Sequence, residues 1–216
     1  MLGATVVNTR MKAQKPVPPG PGPLPAPSVG AELKPGSALP MWPAGLTPAQ
    51  KAAATTILQT ALNVAVSDPQ LGPTSRQARM AIEFVPSAAS RARELAPQRV
   101  QGVSLDAFTA ILGTSKREDP IWNLIVVEQE ILTDLYRLIA VLHHELTHIE
   151  RFNAGALKGL SQREEEILVY RRSIQGLEGI RNDLSKRTGT PAAERLAARL
   201  TEQIRLERSR LASWQK

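Results

Sequence analysis

Apolar residues recur at helical spacing in four stretches of this chain, and each stretch carries its own start or stop signal. The first follows Thr47-Pro48-Ala49-Gln50. That tetrapeptide supplies an N-cap, a first-turn proline and a capping-box glutamine, and predicts an Ala/Leu-rich helix to about Val66. In the second, Leu132 to Phe152, the residues Leu135, Leu138, Ile139, Leu142, Leu146 and Ile149 fall on one side at about 100° per residue. The third opens at Ser161 and Glu164, a capping-box pair, and carries the stripe Ile167, Tyr170, Ile174, Leu177, Ile180 and Leu184. Thr188-Gly189-Thr190-Pro191 breaks that pattern, and Pro191 to about Trp214 resumes it through Leu196, Leu200 and Ile204. The last two helices, about 161–186 and 191–215, are expected to form a hairpin.

Three shorter runs rich in Ile, Val and Phe, bounded by Pro, Gly and polar residues, predict strands at Met80–Val85, Val100–Leu105 and Asn123–Glu128. The expected fold class is α+β, mainly helical, with a small mixed sheet. Because Asn123–Glu128 leads into the second helix, it is also a candidate edge strand to which an extended peptide could add by main-chain bonding, the alternative being an ordinary core strand.

Before about Gly45 the patterning stops. Pro16 to Pro43 contains PVPPGPGPLPAP, which can build neither helix nor sheet ladder. Residues 1–44 are therefore expected to be a disordered, Pro-rich tether, with PxxP spacing as an alternative docking signal, and residues 45–216 to be the folded domain. A chain of 216 residues suits one domain with such an appendage.

The second helical stretch also carries chemistry. His144-Glu145-Leu146-Thr147-His148 reads HExxH, and three His with fifteen Glu would yield this pattern in roughly three of a thousand shuffled chains. Residues four apart stack on one helix face, so both imidazoles can reach one metal ion while Glu145 stands beside it. His144 and His148 point away from the apolar side, with Ala140, Val141 and Arg151, which suits a helix that packs on one side and presents a metal to a cleft on the other. The competing reading is two ordinary histidines, each satisfied by one hydrogen bond. His143 lies off that face and is a neighbour rather than a ligand.

A catalytic zinc site keeps three protein ligands and one open position. The chain has three His, all used above, and no Cys, so the third ligand is expected to be a carboxylate. Glu164, Glu165 and Glu166 are the candidates. Glu164 belongs to the capping box and is the weakest. Glu166 falls in the middle of the apolar stripe, where a carboxylate is costly unless paired or metal-bound, and Glu165 sits about 100° away. Glu166 is preferred and Glu165 is the fallback; alternatively all three merely complement the helix dipole.

Between Leu132 and Arg172 the chain resembles the gluzincin branch of zinc metallopeptidases, and more narrowly the minimal HExxH domains of bacterial secreted and polymorphic-toxin proteins. Those domains pair an HELxH helix with a later helix of the type E-E-E-x-x-A-Y-R, similar to Glu164–Arg171 with Val169 in place of Ala. The resemblance implies a zincin-like fold, one zinc held by His144, His148 and Glu166, and Glu145 as the base that activates water. Tyr170 and Arg171 are candidates for a second oxyanion donor.

Net charge is +7, and the excess lies in the first and last parts of the chain, since residues 44–150 are slightly acidic. Arg195, Arg199, Arg205, Arg208 and Arg210 alternate with glutamates and aromatics are scarce, so a solvated charged face is favoured over a nucleic-acid site. The basic N-terminus lacks the apolar core of a Sec signal. The partners expected are a peptide or protein substrate and, from the resemblance, a secretion apparatus or immunity protein. Expected localisation is the cytoplasm of the producing cell, with Sec-independent export as the toxin-like alternative. The competing functional class is a non-catalytic helical assembly protein with a structural or relic metal site.

Overall fold

The computed structural model describes residues 4–6, 10–11, 38–72, 79–95, 105–112, 122–187 and 190–216. It is α+β, mainly helical, with a small mixed sheet. The strands are β1 (Ala4–Val6), β2 (Arg10–Met11), β3 (Ala38–Met41), β4 (Arg79–Val85), β5 (Leu105–Leu112) and β6 (Trp122–Glu128). The helices are α1 (Pro48–Ala65), α2 (Ala88–Leu95), α3 (Leu135–Asn153), α4 (Gln162–Ser185) and α5 (Pro191–Trp214), with a 3-10 turn at Gln129–Thr133 before α3.

The sheet runs β5-β6-β4-β3, and β1 and β2 both pair with the outer side of β5. Strands β3, β4 and β6 are parallel, whereas β5 is antiparallel to β6 and to β1 and β2. The period-2 alternation explains how two layers cover the sheet. Met80, Ile82, Phe84, Ala107, Ile125 and Val127 join the main core with α1, α3 and the inner faces of α4 and α5. Phe108, Ala110, Leu124 and Val126 face the other way, onto Ala88, Ala89 and Ala92 of α2. Strand β6 is therefore covered on both faces, which its uninterrupted Leu124-Ile125-Val126-Val127 run reflects.

The expected helices at 47–66, 161–186 and 191–215 are present, and both capping boxes form as read, at Thr47/Gln50 and at Ser161/Glu164. Helix α3 starts at Asp134, whose carboxylate accepts the Tyr136 and Arg137 backbone N–H groups at 3.0 and 3.1 Å.

Four expectations are corrected. First, β6 has neighbours on both sides, so it is a core strand and not the edge; β5 stands next to it on the side that carries β1 and β2. Second, the strand expected to end at Leu105 runs on to Leu112 in β5; residues 100–104 lie outside the described residues. Third, the fold does not start at Gly45. Ala38–Met41 pairs in parallel with β4, and Trp42 stacks on Phe84 at 5.2 Å between ring centroids. Among the described residues β3 is an edge strand, a position where a proline such as Pro40 is tolerated. The proline-rich residues 12–37 lie outside the described residues. Fourth, the charged face of the last helix is not uniformly solvated, because Glu207 and Arg210 are buried. Arg210 bonds Glu207 at 2.7 Å and Asp106 of β5 at 3.0 Å, and Asp106 also takes Arg137 of α3 at 2.6 Å. This buried carboxylate ties the sheet to α3 and α5. No described helix is long and apolar enough to cross a membrane.

Candidate metal centre

Helix α3 is buried on every side from Leu138 to Ile149. The expectation of a histidine face open to a cleft is corrected: His144, Glu145 and His148 are each 0% exposed. The packing gives the reason. The first turns of α4 carry Glu165 and Glu166 to the histidines, and β5 brings Thr109 to Glu145.

The two histidines converge through their Nε2 atoms, which are 3.2 Å apart, and Glu166 Oε2 is 3.5 Å from His144 Nε2. Ligand atoms sharing one tetrahedral ion at about 2.0–2.1 Å should stand about 3.3–3.4 Å from one another. Those two separations, 3.2 and 3.5 Å, bracket that value. Ligand atoms of His144, His148 and Glu166 form a group able to hold a metal ion, and all three residues are buried. Burial pushes the His148 pKa down against the opposing pull of Glu165. A neutral imidazole is the form that can donate a lone pair to a metal.

The three glutamates of α4 have separate surroundings. Glu164 is exposed and accepts the Ser161 backbone N–H at 2.8 Å and hydroxyl at 2.6 Å, bonds that lower its pKa. Glu165 has its side chain 12% exposed and lies 3.5 Å from His148 Nδ1, on the ring edge away from the convergent Nε2 atoms. Glu166 is fully buried. Helical geometry produces this division, since consecutive residues point about 100° apart. Tyr170, one turn after Glu166, lays its ring on that of His144 with centroids 4.3 Å apart, whereas Arg171 is exposed.

Glu145 is held from the sheet. The Thr109 hydroxyl donates to Glu145 Oε2 at 2.8 Å, both residues being fully buried. Sequence reasoning missed Thr109, because a lone threonine in a strand signals nothing until the register sets its face. Comparison with protein-family profiles, curated proteins and solved structures finds no match to this chain.

His143 faces a different set of groups. Its Nδ1 is 3.0 Å from Ser173 Oγ and its Nε2 is 3.1 Å from Asp68 Oδ2, while Arg172 bonds both Asp68 oxygens at 2.9 and 2.8 Å. Gly176 makes this packing possible, because a Cβ there would overlap the Asp68 carboxylate and the His143 ring. The cluster locks the loop after α1 to α3 and α4 beside the candidate metal ligands. Burial pushes the His143 pKa down despite Asp68. Burial also pushes Asp68 up, but the bonds from His143 and the Gln70 backbone N–H, with the Arg172 charge, outweigh it and hold it at about 2.

A carboxylate depressed in the folded state contributes stability that is complete above its ordinary value, 3.8, and is lost as pH falls towards 2. Asp68→Asn should therefore remove about 2 kcal/mol near neutral pH and flatten the stability profile between pH 4 and about pH 2. Denaturant midpoints across that range test this. An unchanged acid limb in the variant would assign the loss to other carboxylates.

Proposed function

We propose that this protein is a zincin-like metallopeptidase that holds one zinc through His144, His148 and Glu166 and uses Glu145 as its general base. The observation that carries the reading is the convergence of two Nε2 atoms and one buried carboxylate at ligand-ligand distances, on an HExxH helix. All three groups are fully buried, and a cation bound among them would compensate the Glu166 carboxylate. Two imidazoles and a carboxylate with no thiolate suit zinc, and a site of three protein ligands keeps a position for water. Bound zinc supplies a Lewis acid that polarises a carbonyl and makes water reactive near neutral pH.

The chain's own groups supply the proton handling. The Thr109 hydroxyl bonds Glu145 Oε2 and so helps set the plane of the carboxylate that we assign to take the proton from water and pass it to the leaving amine. Tyr170, packed on His144, is favoured over exposed Arg171 as a donor to the developing oxyanion. The substrate class is an extended peptide. The outer edge of β5, which carries Thr109, is paired with residues 4–6 and 10–11, so a peptide adding there has to displace them. A bacterial effector or toxin, meeting a secretion apparatus or an immunity partner, is the biological setting we favour.

One observation favours a second reading. Complete burial of His144, Glu145, His148 and Glu166 is what a closed structural metal site in a helical assembly protein would show. Metal analysis and proteolysis together decide. The metal-replete full chain should carry about one zinc, bound with nanomolar or tighter affinity, and should cleave an unstructured protein substrate in a chelator-sensitive way. Far less than one equivalent would end both metal readings. One tightly held equivalent with no cleavage of any unfolded substrate would select the structural site.

A further inference from the structure

His148 presents its two ring nitrogens to two different groups. Nε2 is 3.2 Å from His144 Nε2, on the side where the metal ligands converge, and Nδ1 is 3.5 Å from Glu165 Oε1. A neutral imidazole carries one N–H, and the nitrogen that binds a metal must be the other one. A carboxylate at Nδ1 holds the proton there and keeps the lone pair on Nε2. The same position keeps Glu165 from being a ligand itself, because it stands on the opposite edge of the ring from the convergent atoms. Glu165 also differs from Glu166 in setting, with a side chain 12% exposed against 0%.

We propose that Glu165 is a positioning residue, whose carboxylate accepts the Nδ1–H of His148 and fixes the tautomer and ring plane that aim Nε2 at the metal. This rests on the metal reading above. Adjacent glutamates on one helix then serve both histidines, since the roughly 100° step between neighbours lets α4 bring Glu166 to His144 and Glu165 to His148 in one docking pose. The tandem acids Glu164-Glu165-Glu166 thus divide into a helix cap, a histidine holder and a ligand.

Zinc affinity tests this without any peptide substrate. The full-length wild type, Glu165→Gln, Glu165→Ala and Glu166→Ala are titrated with zinc against a chromophoric chelator, and the metal-free proteins are melted to verify folding. Glu165→Ala should keep one zinc per chain at an affinity about 10- to 100-fold weaker. Glu165→Gln, whose amide oxygen can still accept the Nδ1–H, should lose less. Nitrogen NMR of the zinc-loaded wild type should show the His148 proton on Nδ1. Unchanged affinity in Glu165→Ala would overturn the proposal and leave a solvated first-turn acid. A loss as complete as that of Glu166→Ala would also overturn it, by making Glu165 a ligand. A wild type that binds no zinc would remove the metal reading on which both residues depend, and that outcome is visible before any variant is compared.

Discussion

Glu145→Gln should retain one zinc per chain while peptide hydrolysis falls at least about a hundredfold. The two side chains have the same shape and the amide can still accept the Thr109 hydroxyl at Oε1, so the substitution removes proton transfer and little else. Glu145 contributes no atom to the three-residue metal group, so zinc content should not follow activity. A structural metal site makes the opposite forecast, in which any residual activity is a contaminant and the variant equals the wild type. Loss of zinc together with activity would place Glu145 among the ligands and contradict the assigned role. Unchanged hydrolysis with zinc in place would leave the HExxH glutamate without a function.

The parts of the fold that could be read from the sequence were those whose cause is local. Capping boxes at Thr47/Gln50 and Ser161/Glu164 depend only on residues three apart, and both form. The stripe on α4 correctly buried Glu166 because a helix wheel needs no partner to be drawn. What escaped depends on partners distant in the chain. Helix α2 offers Ala88, Ala89 and Ala92, too small to signal an apolar face, yet they suit close packing against Phe108 and Val126 of the sheet. Strand β5 is buried on both faces over residues 106–110 and so shows no alternation, and the strand reading stopped short of its end at Leu112. Glu207 and Arg210 read as solvated because the buried Asp106 that pairs with Arg210 is 104 residues away.

The site was legible to the same extent. HExxH named its three residues, and burial logic ranked Glu166 above Glu165 and Glu164. The burial of the histidine face was not legible. A wheel separates an apolar side from a polar one, but it cannot show that the polar side is covered by α4 and β5. Nor does the motif reveal Thr109, the Asp68 cluster around His143, or the close approach at Gly176 that leaves no room for a side chain.

Glu166→Ala should reduce zinc affinity by more than about a hundredfold, since it removes one of three ligands from a site with no spare histidine or cysteine. Its effect on stability should depend on the metal. In the metal-free protein the substitution removes a fully buried carboxylate that lies 3.5 Å from His144 Nε2, so its cost there is that of a lost partner and of the space left behind. Zinc at a thousand times its dissociation constant should stabilise the wild type by about 4 kcal/mol and the variant far less, so the gap between the two melting temperatures should widen on adding metal. Glu164→Ala is the control. It removes the half of the capping box that the Glu164 side chain supplies, at an exposed helix start, so it should lower the melting temperature slightly with and without zinc and leave affinity untouched. If Glu166→Ala instead bound zinc normally while destabilising the metal-free protein, its carboxylate would be a structural partner of His144, and the ligand set would have to be closed by another group.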